Sequence, residues 1–225
     1  MSITLGFDVY GTLIDTYGVK RALREHLGER AEGFSRLWRE KQLEYSFRRG
    51  LMQNYVDFSR CTSQALEYAC LEYGLALSDG QKDHLLATYK ELPPFDDATS
   101  GLEKAQKAGF ALYAFSNGSA EAVTNLLRNA GLLGFFVDVI SVEDLRTFKP
   151  SPAVYCHFLR RTGAFGSRAW LISSNPFDVI GAVSAGMRAA WVRRSESAIF
   201  DPWEIEPTLT VSGLDELADR VSEER

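Results

Sequence analysis

The chain has 225 residues, of which 45% are hydrophobic and 24% are charged. These proportions fit a globular protein of one large domain, or of a core that carries a smaller one, and they argue against intrinsic disorder and coiled coil. The formal net charge of −5 provides no basic excess to neutralise phosphates, so we expect no nucleic-acid partner.

Cysteine usage and hydropathy bear on the cellular compartment. Cys61, Cys70 and Cys156 lie far apart and form no CxxC pair, which argues against a disulfide framework and a structural zinc site. The first residues lack a basic region and include Asp8, unlike a signal peptide. No apolar run approaches the length of about 18 residues that a transmembrane helix needs. We therefore expect a cytoplasmic protein with no membrane partner.

The first predicted element is a buried strand over residues 3–7, a short apolar run that a turn at Tyr10-Gly11-Thr12 ends. From residue 15 to about residue 92 apolar residues recur at helical spacing, as in Ala65, Leu66, Ala69, Cys70 and Tyr73. Pro93-Pro94 marks the end of this helical block.

Beyond these prolines, strands and helices alternate. Strands are predicted over residues 111–115, 137–141, 170–173, 189–192 and 209–211, and helices over 119–130, 152–162, 179–185 and 214–221. This alternation predicts an α/β fold, a doubly wound parallel-sheet (Rossmann-like) core with an inserted helical cap domain. We expect the core domain to comprise residues 1–15 and 98–225 and the cap domain residues 16–97.

Polar segments follow the predicted strands. They are DVYGT at residues 8–12, SNGS at 116–119, KP at 149–150 and SSNPFD at 173–178. Because ligands bind at the carboxyl ends of strands in open parallel sheets, we expect the four segments to converge on one crevice. Two carboxylates, one lysine and several hydroxyl and amide groups would meet there.

Each charged candidate also has a structural interpretation. Asp8 is either a turn cap acting through Gly11 and Thr12 or a nucleophile whose negative charge Lys149 balances. Asp178 is either a part of that site or the cap of the helix that follows it. Lys149 taken alone is equally compatible with a solvated surface position.

The four segments, in this order and spacing, resemble the four motifs of the haloacid dehalogenase superfamily, and the resemblance covers essentially the whole chain. Phosphatases of that superfamily carry an aspartate where Tyr10 stands; it protonates the leaving oxygen and helps to bind magnesium. Ser174 and Asn175 stand where a further acidic ligand is expected. One nucleophilic carboxylate with one distant acid is a poor magnesium site. A halide needs no proton on leaving, so these departures favour carbon–halogen displacement without a cofactor or metal.

Residues 37–45, LWREKQLEY, are similar to the signature cap segment of the L-2-haloacid dehalogenases. In that family an arginine matching Arg39 helps to stabilise the departing halide, a role that suits the always-charged guanidinium. The alternative is a surface arginine paired with Glu40 or Glu44. Phe58 belongs either to an apolar wall of the substrate pocket or to the cap core.

Further residues enter through the same resemblance as substrate-binding candidates, namely Val9, Tyr10, Leu43, Tyr155 and Phe177. Tyr155 is equally compatible with the apolar face of its helix. The family often has tryptophan where Phe177 stands, so the aromatic wall is kept with a different volume. It often has glutamine where Glu40 stands, and an inward-pointing carboxylate there would oppose an anionic substrate.

The implied reaction is the hydrolysis of an (S)-2-haloalkanoate in two steps. Asp8 displaces the halide with inversion and forms an ester, and water then releases the 2-hydroxyalkanoate. By this resemblance, Arg39 and Asn117 stabilise the halide and Ser116 binds the substrate carboxylate. Lys149 balances the charge of Asp8, and Thr12 fixes the Asp8 rotamer. Asp178, with Ser173 and Asn175, positions or deprotonates the water. The alternatives are a magnesium-dependent small-molecule phosphatase and a hydrolase of a strained ring α to a carboxylate. The resemblance also implies a homodimer.

Overall fold

The computed structural model describes residues 2–224. Within them one sheet contains the strands Thr4–Phe7 (β1), Ala111–Ser116 (β2), Asp138–Ser141 (β3), Ala169–Ser173 (β4), Arg188–Val192 (β5) and Leu209–Val211 (β6). All neighbouring strands are parallel, in the order β3-β2-β1-β4-β5-β6. The chain runs outward from β1 to β3, returns to β4 beside β1 and continues to β6. The topological switch therefore lies between β1 and β4, where ligands bind in sheets of this kind.

Helices cover the sheet and form the insertion after its first strand. Those of the α/β part are Ala98–Lys107 (α5), Ala120–Asn129 (α6), Pro152–Thr162 (α7), Pro176–Ser184 (α8) and Leu217–Glu223 (α9). The insertion contains Lys20–Leu27 (α1), Ala31–Leu51 (α2), Phe58–Tyr73 (α3) and Asp79–Thr88 (α4). The predicted fold class, a doubly wound parallel sheet with an inserted helical cap, is confirmed.

The cap shares its apolar core with the sheet. One continuous buried cluster contains Phe7 and Leu112 of the sheet together with Leu23 and Trp38 of the cap. The two connections between cap and sheet run side by side, since Asp15 N donates to the Pro93 carbonyl at 2.9 Å and Phe95 N donates to the Leu13 carbonyl at 2.9 Å. This shared core holds the cap over the carboxyl end of β1.

The predicted strands lie within one residue of the observed ones, but two helices differ from the prediction. Helix α5 was not predicted, because its first turn, Thr99-Ser100-Gly101, consists of weak helix formers. A Cβ atom on Gly101 would lie 2.5 Å from Leu214 Cβ, so glycine is required there by close packing. Helix α8 begins at Pro176, three residues before the predicted start, and proline suits that first position.

The last predicted helix begins as a 3₁₀ turn over Leu214–Glu216 and continues as α9. Among residues 2–224, no helix combines the length and apolar character needed to cross a membrane.

Candidate active site

Asp8 lies directly after β1 at the topological switch and is 7% exposed. Its Oδ2 atom accepts hydrogen bonds from Asn175 Nδ2 at 2.7 Å, from Thr12 Oγ1 at 2.9 Å and from Ser173 Oγ at 3.4 Å. Its Oδ1 atom faces Lys149 Nζ at 3.3 Å. Donors from three separate segments of the chain therefore fix the carboxylate in one orientation.

Thr12 is fully buried and connects the first and last of these segments. Its hydroxyl donates to Asp8 Oδ2 and accepts from the Ser174 backbone N–H at 2.9 Å. Ser174 Oγ in turn donates to the Gly11 carbonyl at 2.7 Å. The turn after β1 is thus locked onto the loop after β4. The Thr12 contact of the turn-cap interpretation is present, and the same carboxylate also binds Asn175 and Lys149 from distant segments.

Lys149 is buried, with 1% of the residue exposed. Its ammonium donates to Asp178 Oδ2 at 2.8 Å, to the Phe115 carbonyl at 2.9 Å and to Asp8 Oδ1 at 3.3 Å. Three acceptors match the three hydrogens of the ammonium group. The solvated-surface interpretation of Lys149 is therefore wrong, and its charge is shared between the two carboxylates.

Asp178 belongs to the first turn of α8 but does not cap it. Its Oδ1 atom accepts from the Tyr155 hydroxyl at 2.8 Å, while Oδ2 accepts from Lys149. Burial raises the pKa of Asp178, whereas the neighbouring Lys149 ammonium lowers it and the Asp8 carboxylate raises it. Tyr155 is fully buried, and its pKa lies well above 10 because of burial and the adjacent Asp178. Any effect of Tyr155 on the site therefore passes through Asp178.

Arg39 reaches the same crevice from the cap. Its Nη2 atom donates to the Tyr10 carbonyl at 3.3 Å, and its Nη1 atom donates to Gln42 Oε1 at 2.6 Å. The acids proposed as alternative partners bond elsewhere. Glu40 pairs with Arg36 at 3.9 Å with its side chain 64% exposed, and Glu44 pairs with Lys41 and Arg48. The Glu40 carboxylate thus points to solvent and away from the crevice.

Ser116 is the last residue of β2 and Asn117 follows it directly, and both are buried. Asn117 Oδ1 accepts from the Lys149 backbone N–H at 2.9 Å, which leaves its amide N–H groups as the ones that can face an anion. Ser116 Oγ accepts from the Gly118 backbone N–H at 3.1 Å, so its hydroxyl hydrogen is directed away from that bond. Both side chains are held by backbone groups of the crevice.

Aromatic residues form the walls of the crevice. The Tyr10 ring lies 6.0 Å from Phe58, and Phe58 lies 6.1 Å from Phe148. On the opposite side Phe177 meets Phe47 of α2 edge-to-face at 4.9 Å. Burial raises the pKa of Tyr10 to about 12, and the nearby Arg39 charge opposes this only in part.

An apolar cavity of about 530 Å³ lies between α2 and α8. The residues that line it include Phe47, Phe148, Phe177, Ile180 and Trp203. Leu43 of α2 is half-buried, one turn after Arg39, whereas the Val9 side chain is fully buried in the core. Only the backbone of Val9 is therefore available to a ligand, and a substrate would meet apolar surface mainly at Phe58 and Phe177.

No role in the site was predicted for Gln42 or Phe47, although the structure brings both against it, and Ser174 was placed there only as a member of the SSNPFD segment. The signal for Gln42 was its position three residues after Arg39, which places both on one face of α2. The partners of Ser174 and Phe47 lie 163 and 130 positions away along the chain, at Gly11 and Phe177. No local pattern identifies such contacts.

The donor set is ill suited to a metal ion. Within residues 2–224, no group of three or more His, Cys, Asp or Glu side chains is arranged to hold one. The Lys149 ammonium lies between the Asp8 and Asp178 carboxylates, and the Asn175 amide nitrogen donates to Asp8. Magnesium prefers oxygen ligands in an octahedron, and the described residues bring no third acidic side chain to Asp8 and Asp178.

A parallel sheet with a helical cap after its first strand, and a buried carboxylate at the switch point, defines a class of capped α/β hydrolase. A haloacid dehalogenase-like hydrolase model matches residues 4–186, and the chain belongs to that family.

More specific similarities concern dehalogenases. The chain is 36% identical over 212 residues to a (S)-2-haloacid dehalogenase of Pseudomonas putida, covering 94% of this chain and 93% of that protein. It is 35% identical over 211 residues to haloacetate dehalogenase H-2 of Moraxella sp. (strain B), covering 94% of each. The structure of L-2-haloacid dehalogenase from Xanthobacter autotrophicus with chloropropionic acid covalently bound superposes with a TM-score of 0.90, at 31% identity and 99% coverage of both chains.

Proposed function

We propose that this protein is an (S)-2-haloacid dehalogenase, which hydrolyses a 2-haloalkanoate to the inverted 2-hydroxyalkanoate and halide through an aspartyl ester, without a metal. The observation that carries the proposal is the Asp8 carboxylate at the switch point, which is almost fully buried and held by donors from three segments, including Lys149. The relatives with the same printed activity and nearly full coverage support it.

In the first step, Asp8 attacks the carbon that bears the halogen, on the side opposite the halogen. The new carbon–oxygen bond forms as the carbon–halogen bond breaks, and the halide leaves with the bonding pair. Alignment dominates the rate of such a displacement, and the bonds from Thr12 and Asn175 supply it by fixing the carboxylate plane. Arg39 and the Asn117 amide stabilise the departing halide, while Ser116 binds the substrate carboxylate.

In the second step, water attacks the ester carbonyl carbon of Asp8. The bond from that carbon to the substrate oxygen then breaks, so the Asp8 carboxylate is regenerated and the 2-hydroxyalkanoate leaves with the proton that Asp178 took from the water. Asp178 serves as the base that orients and deprotonates this water, with Ser173 and Asn175 beside it. Its pKa is raised by burial, which makes it a stronger base than an exposed aspartate. Lys149 joins Asp8 to Asp178 and compensates the negative charge during both steps.

Tyr10 favours halide displacement over phosphoryl transfer. A phosphatase needs an acid at this position to protonate an alcohol leaving group, and a phenol with a pKa of about 12 is a poor donor near neutral pH. Halide requires no proton. A hydrolase that opens a strained ring α to a carboxylate would use the same nucleophile and remains the second candidate.

The proposal extends to domain organisation, compartment and assembly. Residues 16–97 would form the cap domain over a core of residues 1–15 and 98–225, with the substrate bound between them.

The unpaired thiols of Cys61, Cys70 and Cys156 are compatible with a reducing cytoplasm. Met52 and Leu71 expose apolar side chains on one surface of the cap, a surface suited to a homodimer contact. Sedimentation equilibrium would test the assembly.

Halide release from (S)- and (R)-2-chloropropionate in the presence of a chelator tests the function. We expect release from the S substrate alone, inversion in the hydroxyacid product, and loss of release in Asp8→Asn. Mass spectrometry must show that the new asparagine has not deamidated. Asp138→Asn, at an exposed carboxylate of β3, is the matched control and should keep full activity. Metal-dependent phosphate release, or ring opening without halide release, would replace the proposal by an alternative.

A further inference from the structure

Gln42 holds Arg39 from the cap side. It lies one turn after Arg39 on α2, only 1% of it is exposed, and its Oε1 atom accepts from Arg39 Nη1 at 2.6 Å. The other terminal nitrogen of Arg39 donates to the Tyr10 carbonyl, two residues after Asp8. The guanidinium group therefore bridges the cap helix and the loop that carries the nucleophile.

The neighbours of the Gln42 amide leave it one orientation. A guanidinium group donates and does not accept, so the amide oxygen must face Arg39. The amide nitrogen then donates to Thr62 Oγ1 at 2.5 Å, and the Thr62 hydroxyl donates to the Phe58 carbonyl at 2.9 Å. Gln42 and Thr62 are each hydrogen-bonded on both sides in this buried chain, and such chains hold their members in one geometry.

Gln42 also supports Arg39 without neutralising it. A carboxylate at this position would form an ion pair with the guanidinium and cancel part of the charge that an anionic ligand needs. The acids nearest in sequence, Glu40 and Glu44, pair with Arg36, Lys41 and Arg48 on the surface of α2. The positive charge of Arg39 is therefore available to the crevice.

We infer that Gln42, anchored by Thr62, is a positioning residue that fixes Arg39 as a charged cradle for the departing halide. This inference rests on the proposed function. A cradle for the leaving group acts in the transition state of the first step and matters most for a poor leaving group. Losing Gln42 should therefore slow a chloride substrate more than a bromide substrate, and should lower kcat more than it raises KM.

Halide release from (S)-2-chloropropionate and (S)-2-bromopropionate tests this dependence. We expect Gln42→Leu to lower kcat for the chloride substrate roughly 10- to 100-fold, the size of effect that a small misplacement in an active site produces. The loss with bromide should be several-fold smaller. Thr62→Val should act in the same direction, whereas Thr62→Ser retains the hydroxyl and should restore most of the rate.

Arg49 and Gln64 provide a matched control. Arg49 Nη2 donates to Gln64 Oε1 at 3.0 Å, so Gln64→Leu removes the same kind of contact elsewhere in the cap and should leave kcat unchanged. Adding Gln42→Leu to Arg39→Ala should cause no further loss, because Gln42 acts through Arg39. Equal losses with both halogens, or additive losses in the double variant, would overturn the inference.

Bromide binding separates this inference from the proposed function. At constant ionic strength, bromide should raise the Tm of wild type and of Gln64→Leu but not that of Gln42→Leu, since an anion bound to the folded state stabilises it. If wild type releases no halide from any 2-haloacid, the proposed function fails, and the bromide shift still tests the cradle. An equal Tm shift in Gln42→Leu, or no Tm shift in wild type, contradicts the inference that Gln42 fixes Arg39 as a halide cradle.

Discussion

Lys149 and Asp178 form an ion pair that is closed to water, with Lys149 Nζ 2.8 Å from Asp178 Oδ2 and side chains that are 1% and 0% exposed. The same ammonium also contacts Asp8 Oδ1 at 3.3 Å. One cation thus compensates two carboxylates, and a variant that lacks it leaves buried negative charge without a partner.

Lys149→Met should lower the free energy of unfolding by about 3–5 kcal/mol near neutral pH, the usual cost of removing one partner of a buried pair. Urea denaturation measures it. Lys107→Met is the control, because that lysine pairs with Glu103 at 3.7 Å with its side chain 78% exposed and the substitution should leave stability nearly unchanged.

Without Lys149 the pKa of Asp178 should rise further, because the ammonium lowers it in the wild type. The folded variant then binds more protons than the unfolded chain, so its stability should fall as pH rises. A stability equal to wild type at all pH values would contradict this.

Tyr155→Phe should move the acid limb of the kcat profile to higher pH. The Tyr155 hydroxyl donates to the ionised form of Asp178 at 2.8 Å, so its loss should raise the pKa of that carboxyl group. The base then becomes protonated at a higher pH, and turnover is lost earlier on acidification. Tyr113→Phe is the control, since Tyr113 of β2 packs against Phe158 of α7 and not against Asp178. An unchanged profile in Tyr155→Phe would mean that the ionisation of Asp178 does not set the acid limb of kcat.

Phe177→Trp should restrict the length of the substrate's carbon chain. Phe177 meets Phe47 at 4.9 Å and lines the apolar cavity between α2 and α8, so a larger ring reduces that space. We expect kcat/KM to fall about 10-fold for 2-chlorohexanoate relative to 2-chloropropionate, a loss at the lower end of what a single methylene group is worth in an apolar pocket. Ile199→Trp, at an exposed site, is the control. A constant ratio would mean that the chain does not enter this cavity.

Glu40→Gln should leave KM for 2-chloropropionate within about twofold of wild type, because an exposed charge is screened by solvent. Its carboxylate is 64% exposed and faces Arg36. Steady-state kinetics at low and high salt provide the measurement. A clear fall in KM would indicate that the carboxylate reaches the crevice during turnover.

The fold could be predicted because the spacing of apolar residues within each strand or helix indicates the type of that element. Strands β1 and β4 are short apolar runs that are buried along their whole length, and such runs belong to the centre of a parallel sheet. Helix α5 was not predicted because Thr99, Ser100 and Gly101 in its first turn are weak helix formers, and the close packing that requires Gly101 involves Leu214 on a different element. Local propensity contains no information about such a partner.

The sequence by itself determined the α/β class, the helical insertion and the set of polar segments at the strand ends, because these depend on period, turn residues and chain order. Only the tertiary structure decided which of the charged candidate residues lie in the crevice and which face solvent. Lys149 is buried between Asp8 and Asp178, Asp178 leaves its helix uncapped, and Glu40 turns outward while Arg39 turns inward. These outcomes depend on which charges meet after distant segments converge, since a buried charge is stable only with a partner that local sequence does not specify.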